Sequence, residues 1–394
     1  MTSNNFKISL KPLLYVYLFF ACISYNLDWF YIAGSFGYID ILLPLIFLIS
    51  LKQRYLKIDY LFICLVLLAL ISCISLINAI SILGLDNVNI GYLLRSIYFA
   101  FLYFLFFNSD LNIESVLRVI MLSFIFSLAL CIAVWLTSPR YFGFTSLPML
   151  HVLDSPLGIM VNRNESGLIA SLLYTLSLYG LLNKKIFPSL VNLVVVILSC
   201  LTVALSFSKG AWALAVIGTF FIMLYRYKTS RVLIVSILII FLIPFLPLSD
   251  FIFADAVITR FTGSSETNAY RLQYLIDAFL IGSDNYLFGI GPGNYKEYAI
   301  ANDYAVTIDP HNSYLQTYAE LGILGFVLIL FFYISSIMQS FFNARVDSIH
   351  VIIFILIIML SADGMQSGLS LTMKIFYILV ALTMRRGFDE KNKA

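Results

Sequence analysis

Long apolar runs constrain the fold of this 394-residue chain more than any other sequence feature. Clear examples are Leu13–Ala33, Leu61–Leu83, Leu190–Leu205 and Val232–Leu248. Each run is near or above the roughly 20 apolar residues that a helix needs to cross the hydrocarbon core of a bilayer. Only 11% of the residues are charged, whereas a soluble domain carries about 25%. The sequence therefore predicts an all-α, polytopic integral membrane protein and excludes a soluble enzyme.

The pattern of apolar runs predicts about twelve transmembrane helices in a single membrane domain, residues 1–394. The predicted spans are 13–33, 37–51, 59–83, 91–107, 116–137, 165–182, 188–206, 210–225, 232–249, 312–342, 349–366 and 369–384. If the N-terminus is cytoplasmic, 16 of the 24 Lys and Arg residues lie at or beside inner turns. This distribution follows the positive-inside rule, so both termini are expected in the cytoplasm.

One outer connection is much longer than the others. The polar residues 250–311 lie between spans nine and ten, and a second, shorter outer segment is 138–164. Apolar residues recur at helical spacing over about 268–281, which predicts an amphipathic helix on the outer membrane surface. The glycine-rich residues 289–294 are predicted to form a turn, since no Gly-Lys-Ser/Thr follows them as in a phosphate-binding loop. A long loop in a compact protein is usually functional or disordered, and this one is not of low complexity, so a site is expected here.

Eight basic residues lie at or near the outer face, against the charge rule. They are Arg95, Arg140, Arg163, Lys209, Arg260, Arg271, Lys296 and Lys374. Charges in or beside a span are costly unless they pair or line a cavity. One interpretation is pairing with acidic residues such as Asp255, Glu266 and Asp277. The other is binding of an anionic ligand, with phosphate the obvious group for arginine.

His311 has the most informative local sequence. In Asp309-Pro310-His311 we expect Asp as the N-cap of a helix, Pro at the first helical position and His just inside. The partial positive charge of a helix N-terminus keeps the imidazole neutral, which suits a general base. The alternative is that His311 only caps or hydrogen-bonds the loop.

A helix that includes His311 would carry further residues on the same face. At about 100° per residue, these residues are Leu315, Tyr318, Gly322 and Gly325. Glu320 would lie on the opposite side and is therefore a poor partner for His311. The two glycines are interpreted as packing residues that let a neighbouring helix approach.

Several segments together resemble the O-antigen ligase and Wzy-type O-antigen polymerase superfamily. Residues 311–325 resemble its signature, in which His-Asn is followed after nine residues by Gly-x-x-Gly. Arg271 begins an Arg-x-x-x-Leu element that is similar to one in the family's large outer loop. Residues 162–166, 206–212 and 289–294 also resemble family stretches. The resemblance covers about residues 160–345.

The resemblance implies a GT-C-like membrane glycosyltransferase in the bacterial inner membrane. Its donor is expected to be an undecaprenyl-pyrophosphate-linked glycan, used at the periplasmic face, and its acceptor a lipid-linked repeat unit or lipid A-core. The expected reaction is inverting. Pyrophosphate is already a good leaving group that basic side chains can neutralise, so neither a metal nor another cofactor is expected.

The resemblance also assigns roles to particular residues. His311 is expected to serve the acceptor hydroxyl as the catalytic base. The expected pyrophosphate-binding residues are Arg271, Lys209 and Arg260, and further candidate substrate-binding residues are Arg163 and Asn312. The family pattern has arginine where this chain has Lys209. Lysine supplies charge but not a bidentate fork.

Three functions stay open at this point. A polymerase joins repeat units on one lipid carrier, whereas a ligase moves the finished chain to lipid A-core. Lys209 departs from the ligase-like arginine, which favours polymerase. A transporter or flippase for the same lipid-linked glycans is the third function. It should show polar residues at the membrane midplane and two related halves, but here the polar residues concentrate at one face and in one loop.

Overall fold

The computed structural model describes residues 10–24, 31–33, 36–50, 56–137, 163–205, 209–227, 265–304, 312–363 and 371–391. Within them the chain forms thirteen α-helices and one two-stranded sheet. The helices are α1 (Leu10–Ser24), α2 (Leu42–Ser50), α3 (Tyr60–Leu83), α4 (Gly91–Phe107), α5 (Ile113–Thr137), α6 (Arg163–Asn183), α7 (Ser189–Leu205), α8 (Lys209–Tyr227), α9 (Ser265–Asp284), α10 (Tyr295–Ala301), α11 (Ser313–Ala344), α12 (Ser348–Asp363) and α13 (Leu371–Lys391). The helical fold class predicted from the sequence is confirmed.

Ten of the twelve predicted spans coincide largely with a helix. By length and composition, α3 and α11 are the two described helices long and apolar enough to cross a membrane. Seven other helices contain apolar stretches of 10–17 residues. The predicted span 232–249 lies outside the described residues. The count of twelve spans therefore stays a prediction.

The first predicted span, 13–33, is wrong at its end. Helix α1 ends at Ser24, and the strands β1 (Tyr31–Ala33) and β2 (Phe36–Gly37) pair antiparallel beyond it. Tyr and Ile favour strands over helices. Apolar character alone could not distinguish this hairpin from a continued helix.

The basic side chains predicted on the inner turns gather at one end of the bundle. Arg385 near the end of α13 pairs with Asp110 after α4, at 2.6 Å. Arg386 pairs with Asp347 between α11 and α12, at 3.1 Å. Lys185 after α6 donates to the first residue of α12 at 2.7 Å. This end is called the basic end below. The starts of α4, α6, α8, α11 and α13 consequently lie at the opposite end.

Helix α11 is broken at Gly322. This residue has φ 66° and ψ −168°, a conformation that only glycine adopts readily. A Cβ there would lie 2.4 Å from the carbonyl group of Leu287, just after α9. Gly322 was predicted to let a neighbouring helix approach. This prediction is wrong, because the backbone of the loop after α9 packs against Gly322 instead. For Gly325, a Cβ would instead meet Leu321 of the same helix.

The break divides α11 into two segments with different lengths. An unbroken helix over 313–344 would be about 48 Å long, well beyond a hydrocarbon core of about 30 Å. Residues 323–344 alone measure about 33 Å, which fits that core. Residues 313–321 form the separate segment nearest the glycine-rich turn.

Candidate functional site

The N-cap of α11 lies three residues later than the predicted cap, Asp309. Asn312 is the N-cap, with φ −141° and ψ 101°, and its Oδ1 accepts from the backbone N–H groups of Tyr314 and Leu315 at 3.1 Å. Asparagine is among the best N-cap residues, which explains why it caps the helix here. The prediction that Asp309 is the cap is therefore wrong. His311 precedes the cap and itself lies outside the described residues.

This start changes the setting predicted for His311. The residue stands before the cap rather than inside the first turn, so helical periodicity does not fix its direction relative to Tyr318 or Glu320. The catalytic role stays a prediction. Asn312 uses its side-chain oxygen in the cap, which leaves only its Nδ2 for the substrate binding predicted for it.

Helix α9 covers the residues predicted to be helical, about 268–281, whereas its position on the membrane surface stays a prediction. It packs along the first part of α11: Gly282 lies against Tyr318, and the carbonyl of Tyr286 accepts from Ile323 N–H at 2.8 Å. The two segments therefore run parallel with an offset of about 36 residues. Arg271 lies on α9 about three helical turns before Gly282. Its side chain lies outside the described residues.

Residues 289–294, called the glycine turn below, confirm the predicted turn. Gly289, Gly291 and Gly293 have φ values of 67°, 86° and 76°. The carbonyl of Gly289 accepts from Asn78 Nδ2 at 2.7 Å, which fixes the turn to α3. A Cβ at Gly293 would lie 2.2 Å from the ring of Tyr92 on α4.

The glycine turn also takes over the backbone groups that the break in α11 releases. In a continuous helix, Ile323 N–H would bond to the Ala319 carbonyl. Instead Ile323 donates to Tyr286, and Ala319 accepts from Ile290 N–H at 3.0 Å. The Glu320 carbonyl accepts from Gly291 N–H at 2.9 Å. Buried backbone groups need such partners, so the turn and the break stabilise each other.

A cavity of about 140 Å³ lies beside the first part of α11. Its polar lining residues include Arg95 on α4 and Ser313, Gln316, Thr317 and Glu320 on α11. Its apolar walls come from α3, α4, α11 and α13. Arg95 is held over the ring of Tyr92, 3.8 Å from its centroid. The residues Ser313 and Gln316 were not singled out from the sequence, because a polar residue in a helix carries no sequence signal of what it faces.

Lys374 behaves differently from Arg95 among the eight outer basic residues. Its Nζ lies 2.7 and 2.9 Å from the carboxylate oxygens of Asp40, and both residues are 4% exposed. Pairing with an acidic residue is thus confirmed for Lys374, although the partner is not one of those predicted. Asp277, one of the predicted partners, instead accepts from Gln273 Nε2 at 2.7 Å.

The loop after α10 returns to the end of α9. The Tyr304 hydroxyl donates to Asp284 Oδ2 at 3.2 Å. Burial and the neighbouring Asp284 carboxylate raise the pKa of Tyr304 to about 12. Tyr304 therefore stays protonated at neutral pH and keeps donating this bond.

The structure brings the backbones of three predicted binding residues to the end opposite the basic end. Arg163 begins α6 and Lys209 begins α8. The two helices pack together, because Ser171 Oγ in the third turn of α6 donates to the carbonyl of Ala211 in the first turn of α8 at 2.7 Å. Arg271 lies on α9 beside the start of α11. The side chains of these residues, and the whole of Arg260, lie outside the described residues.

Part of the chain that includes these residues is similar to a known protein family. Residues 193–330 match the family model described as O-antigen ligase. No curated protein matches the chain. The matched segment runs from α7 to α11 and includes Lys209, Arg271, His311 and the glycine turn, so the resemblance seen in the sequence is confirmed. Proteins of this family are integral membrane proteins of the glycosyltransferase type and use lipid-linked glycans. Over residues 193–330 the chain is therefore similar to the O-antigen ligase family.

Proposed function

We propose that this protein is an inner-membrane glycosyltransferase that polymerises repeat units of O-antigen or a related surface polysaccharide. Its donor is an undecaprenyl-pyrophosphate-linked oligosaccharide, used at the periplasmic face. The observation that carries the proposal is the match of residues 193–330 to the O-antigen ligase family, since this segment contains His311 and Arg271.

In the proposed reaction, His311 accepts the proton of a sugar hydroxyl on the acceptor. That oxygen attacks the anomeric carbon of the donor sugar, and the bond from this carbon to the pyrophosphate oxygen breaks with inversion. The electron pair leaves with the lipid pyrophosphate. The partial positive charge at the α11 N-terminus disfavours a protonated imidazole nearby, which supports a base role for a histidine just before the cap.

The proposed pyrophosphate-binding residues are Arg271, Lys209 and Arg260, with Arg163 as a further candidate. Two of the helices that carry them pack together, and α9 lies along α11 at the same end. Cations fixed near the leaving group stabilise the charge that develops as it departs. This makes a metal ion unnecessary in the proposed mechanism.

The exposure pattern of α9 supports contact with lipid. Its buried face includes Asp277, which is 3% exposed, whereas Ile276, Phe279 and Leu280 are 42–56% exposed. A helix in water would show the reverse arrangement, with polar residues outward. We therefore propose that this face meets the outer leaflet, where the lipid-linked donor resides.

The orientation follows from the charge distribution. Cytoplasmic turns of membrane proteins are enriched in Lys and Arg. The basic end is accordingly proposed to face the cytoplasm, together with both termini. The opposite end, with the start of α11 and the glycine turn, then faces the periplasm.

The second candidate function is O-antigen ligase. The description of the matching family model favours it, whereas Lys209 in place of arginine favours polymerase. A deletion strain separates the two. If the surface-glycan ladder collapses to a single repeat unit on the normal acceptor, the protein is the polymerase. A bare acceptor, with long chains accumulating on undecaprenyl pyrophosphate, identifies the ligase.

The donor site can be tested separately through Arg271→Ala. The loss of a charge-assisted contact worth about 1.5–3 kcal/mol should reduce the use of the lipid-pyrophosphate donor roughly 10- to 100-fold. Transfer by purified variant at several donor concentrations measures this. Lys296→Ala is the matched control, since Lys296 is an exposed cation on the same connection. Unchanged donor dependence for Arg271→Ala would exclude the proposed pyrophosphate contact.

A further inference from the structure

Two residues that line the cavity beside α11 each carry a buried polar atom with no hydrogen-bond partner among the described residues. The atoms are Gln316 Oε1 and Ser313 Oγ, both shielded from solvent. Gln316 is 4% exposed, and its Nε2 donates to Glu320 Oε1 at 2.8 Å. That bond fixes the amide, and its oxygen remains an acceptor with no partner among the described residues. Buried polar groups are nearly always bonded, so such exceptions indicate a ligand or a function.

Glu320 adds a rigid carboxylate to the same wall. The residue is 7% exposed and lies one helical turn from Gln316. Its backbone carbonyl is held by Ser75 Oγ at 2.5 Å and by Gly291 N–H at 2.9 Å. The break in α11 therefore positions this acidic side chain, and a position fixed by surrounding bonds suits a binding residue.

The opposite wall supplies a donor and aromatic faces. The Arg95 guanidinium has only donors, and it is oriented by its contact with Tyr92. Phe99 and Tyr377 also line the cavity and stack on one another, with ring centroids 4.4 Å apart. An apolar cavity with a few convergent polar groups is typical of a small-molecule site.

This set of groups selects among ligand chemistries. A sugar ring is neutral, with hydroxyls that both donate and accept, and its C–H faces pack on aromatic rings. Gln316 and Glu320 offer acceptors, and Arg95 offers donors. A phosphate has only acceptors and would face the buried carboxylate of Glu320, which disfavours it. The lining therefore fits a sugar better than a pyrophosphate.

We propose that this cavity binds the acceptor sugar of the transfer reaction. Its polar wall begins two residues after His311, the group proposed to deprotonate the acceptor hydroxyl. Sugar hydroxyls donate to Gln316 and Glu320 and accept from Arg95. The inference rests on the proposed glycosyltransferase function and extends it to residues outside the pyrophosphate cluster.

The test uses two probes with purified full-length protein in detergent. One is the oligosaccharide released by mild acid from the strain's lipid-linked intermediates, and the other is undecaprenyl pyrophosphate without sugar. Gln316→Met keeps the size and removes the acceptor. Because a neutral hydrogen bond contributes about 1 kcal/mol, oligosaccharide affinity should fall roughly fivefold. Affinity for undecaprenyl pyrophosphate should not change.

The matched control is Gln339→Met on the same helix. Gln339 donates to Asn343 Oδ1 at 3.1 Å, an equivalent i, i+4 pair far from the cavity. This variant should bind both probes as the wild type does. Arg95→Gln, from the opposite wall, should reproduce the selective loss if Gln316→Met folds poorly.

Distinct outcomes would overturn the inference and the underlying function. If active wild-type protein does not bind the oligosaccharide, or if folded cavity variants retain full affinity for it, the cavity is not the acceptor site. If the cavity variants instead lose affinity for undecaprenyl pyrophosphate, the cavity is a pyrophosphate site. If deletion of the protein leaves surface glycan and lipid-linked intermediates unchanged, the proposed glycosyltransferase function fails independently of this cavity.

Discussion

Lys374 and Arg95 are two cations near the same end of the bundle, but their surroundings differ. Lys374 contacts both carboxylate oxygens of Asp40, which also accepts from Tyr98 at 2.7 Å and Tyr17 at 3.3 Å. Arg95 lines a cavity whose wall includes Ser313 and Gln316, each with a polar atom that has no partner in the part of the chain that the structure describes. The difference shows that an outward charge in a span indicates structure or ligand binding according to what surrounds it.

Removing the charge of Lys374 should have the largest effect on stability. Lys374→Met leaves the buried Asp40 carboxylate without its counterion, which typically destabilises by about 3–5 kcal/mol. Thermal unfolding in detergent and the folded yield measure this. The double variant Lys374→Met/Asp40→Asn should recover much of the loss, since it buries no unpaired charge. A single variant as stable as the exposed control Lys296→Met would contradict a structural role for the pair.

Gly322→Ala should disturb the wall of the cavity itself. Gly84 is the matched control, because its φ of 80° also requires glycine but nothing lies within 4 Å of an added Cβ. Both variants introduce backbone strain of about 1–3 kcal/mol. Gly322→Ala adds overlap with the Leu287 backbone, and we expect about 1–3 kcal/mol more destabilisation from it. Equal melting temperatures for the two variants would show that the contact with residues 287–288 is not tight.

Arg95→Gln should affect binding rather than stability. Arg95 is only partly buried and has no ion pair within the described residues, so the melting temperature should change little. Oligosaccharide affinity should fall roughly tenfold, as expected for one lost hydrogen bond to a neutral group. Titration and thermal unfolding of the same preparation separate the two effects. A large loss of stability with unchanged oligosaccharide affinity would show that Arg95, like Lys374, has a structural role.

Asp347→Asn, at the basic end, should have the smallest effect. Burial alone would raise the pKa of Asp347, but hydrogen bonds from Ile349 N–H and Arg386, with the charges of His350 and Arg386, lower it. Its contribution is therefore present above the usual pKa of 3.8 and is lost as the pH falls below it. As a partly exposed pair it should contribute less than about 1 kcal/mol. Unfolding of both proteins at neutral and acidic pH checks this, and a difference that grows at low pH would contradict it.

Sequence patterns predicted most of the helices but not the contacts that shape the site. Helices α3 and α4 were predicted from long apolar runs, because length and apolar composition are the main requirements for a membrane span. The pair of Lys374 with Asp40 joins residues 334 positions apart, which no local pattern encodes. The break at Gly322 depends on bonds to the loop after α9. A glycine in an apolar run is also compatible with ordinary helix packing.

The site shows the same division. The motif indicated His311 and the turn at 289–294, because His-Asn and Gly-Pro-Gly are local signals. The cap at Asn312 was missed because Asp309-Pro310 is an equally good local start signal. The burial of Gln316 and Glu320 depends on how α3, α4 and α13 surround α11. Their function as a wall of the cavity therefore required the structure.

The most direct test of the account is complementation of the deletion strain with His311→Ala, analysed by the surface-glycan gel profile. We expect no polymeric glycan, because loss of a general base typically lowers the rate by about 10²–10⁴-fold. Protein level in the membrane should equal that of the wild type, and His151→Ala should restore the wild-type profile. A near-normal glycan profile with His311→Ala would contradict the catalytic role of this residue.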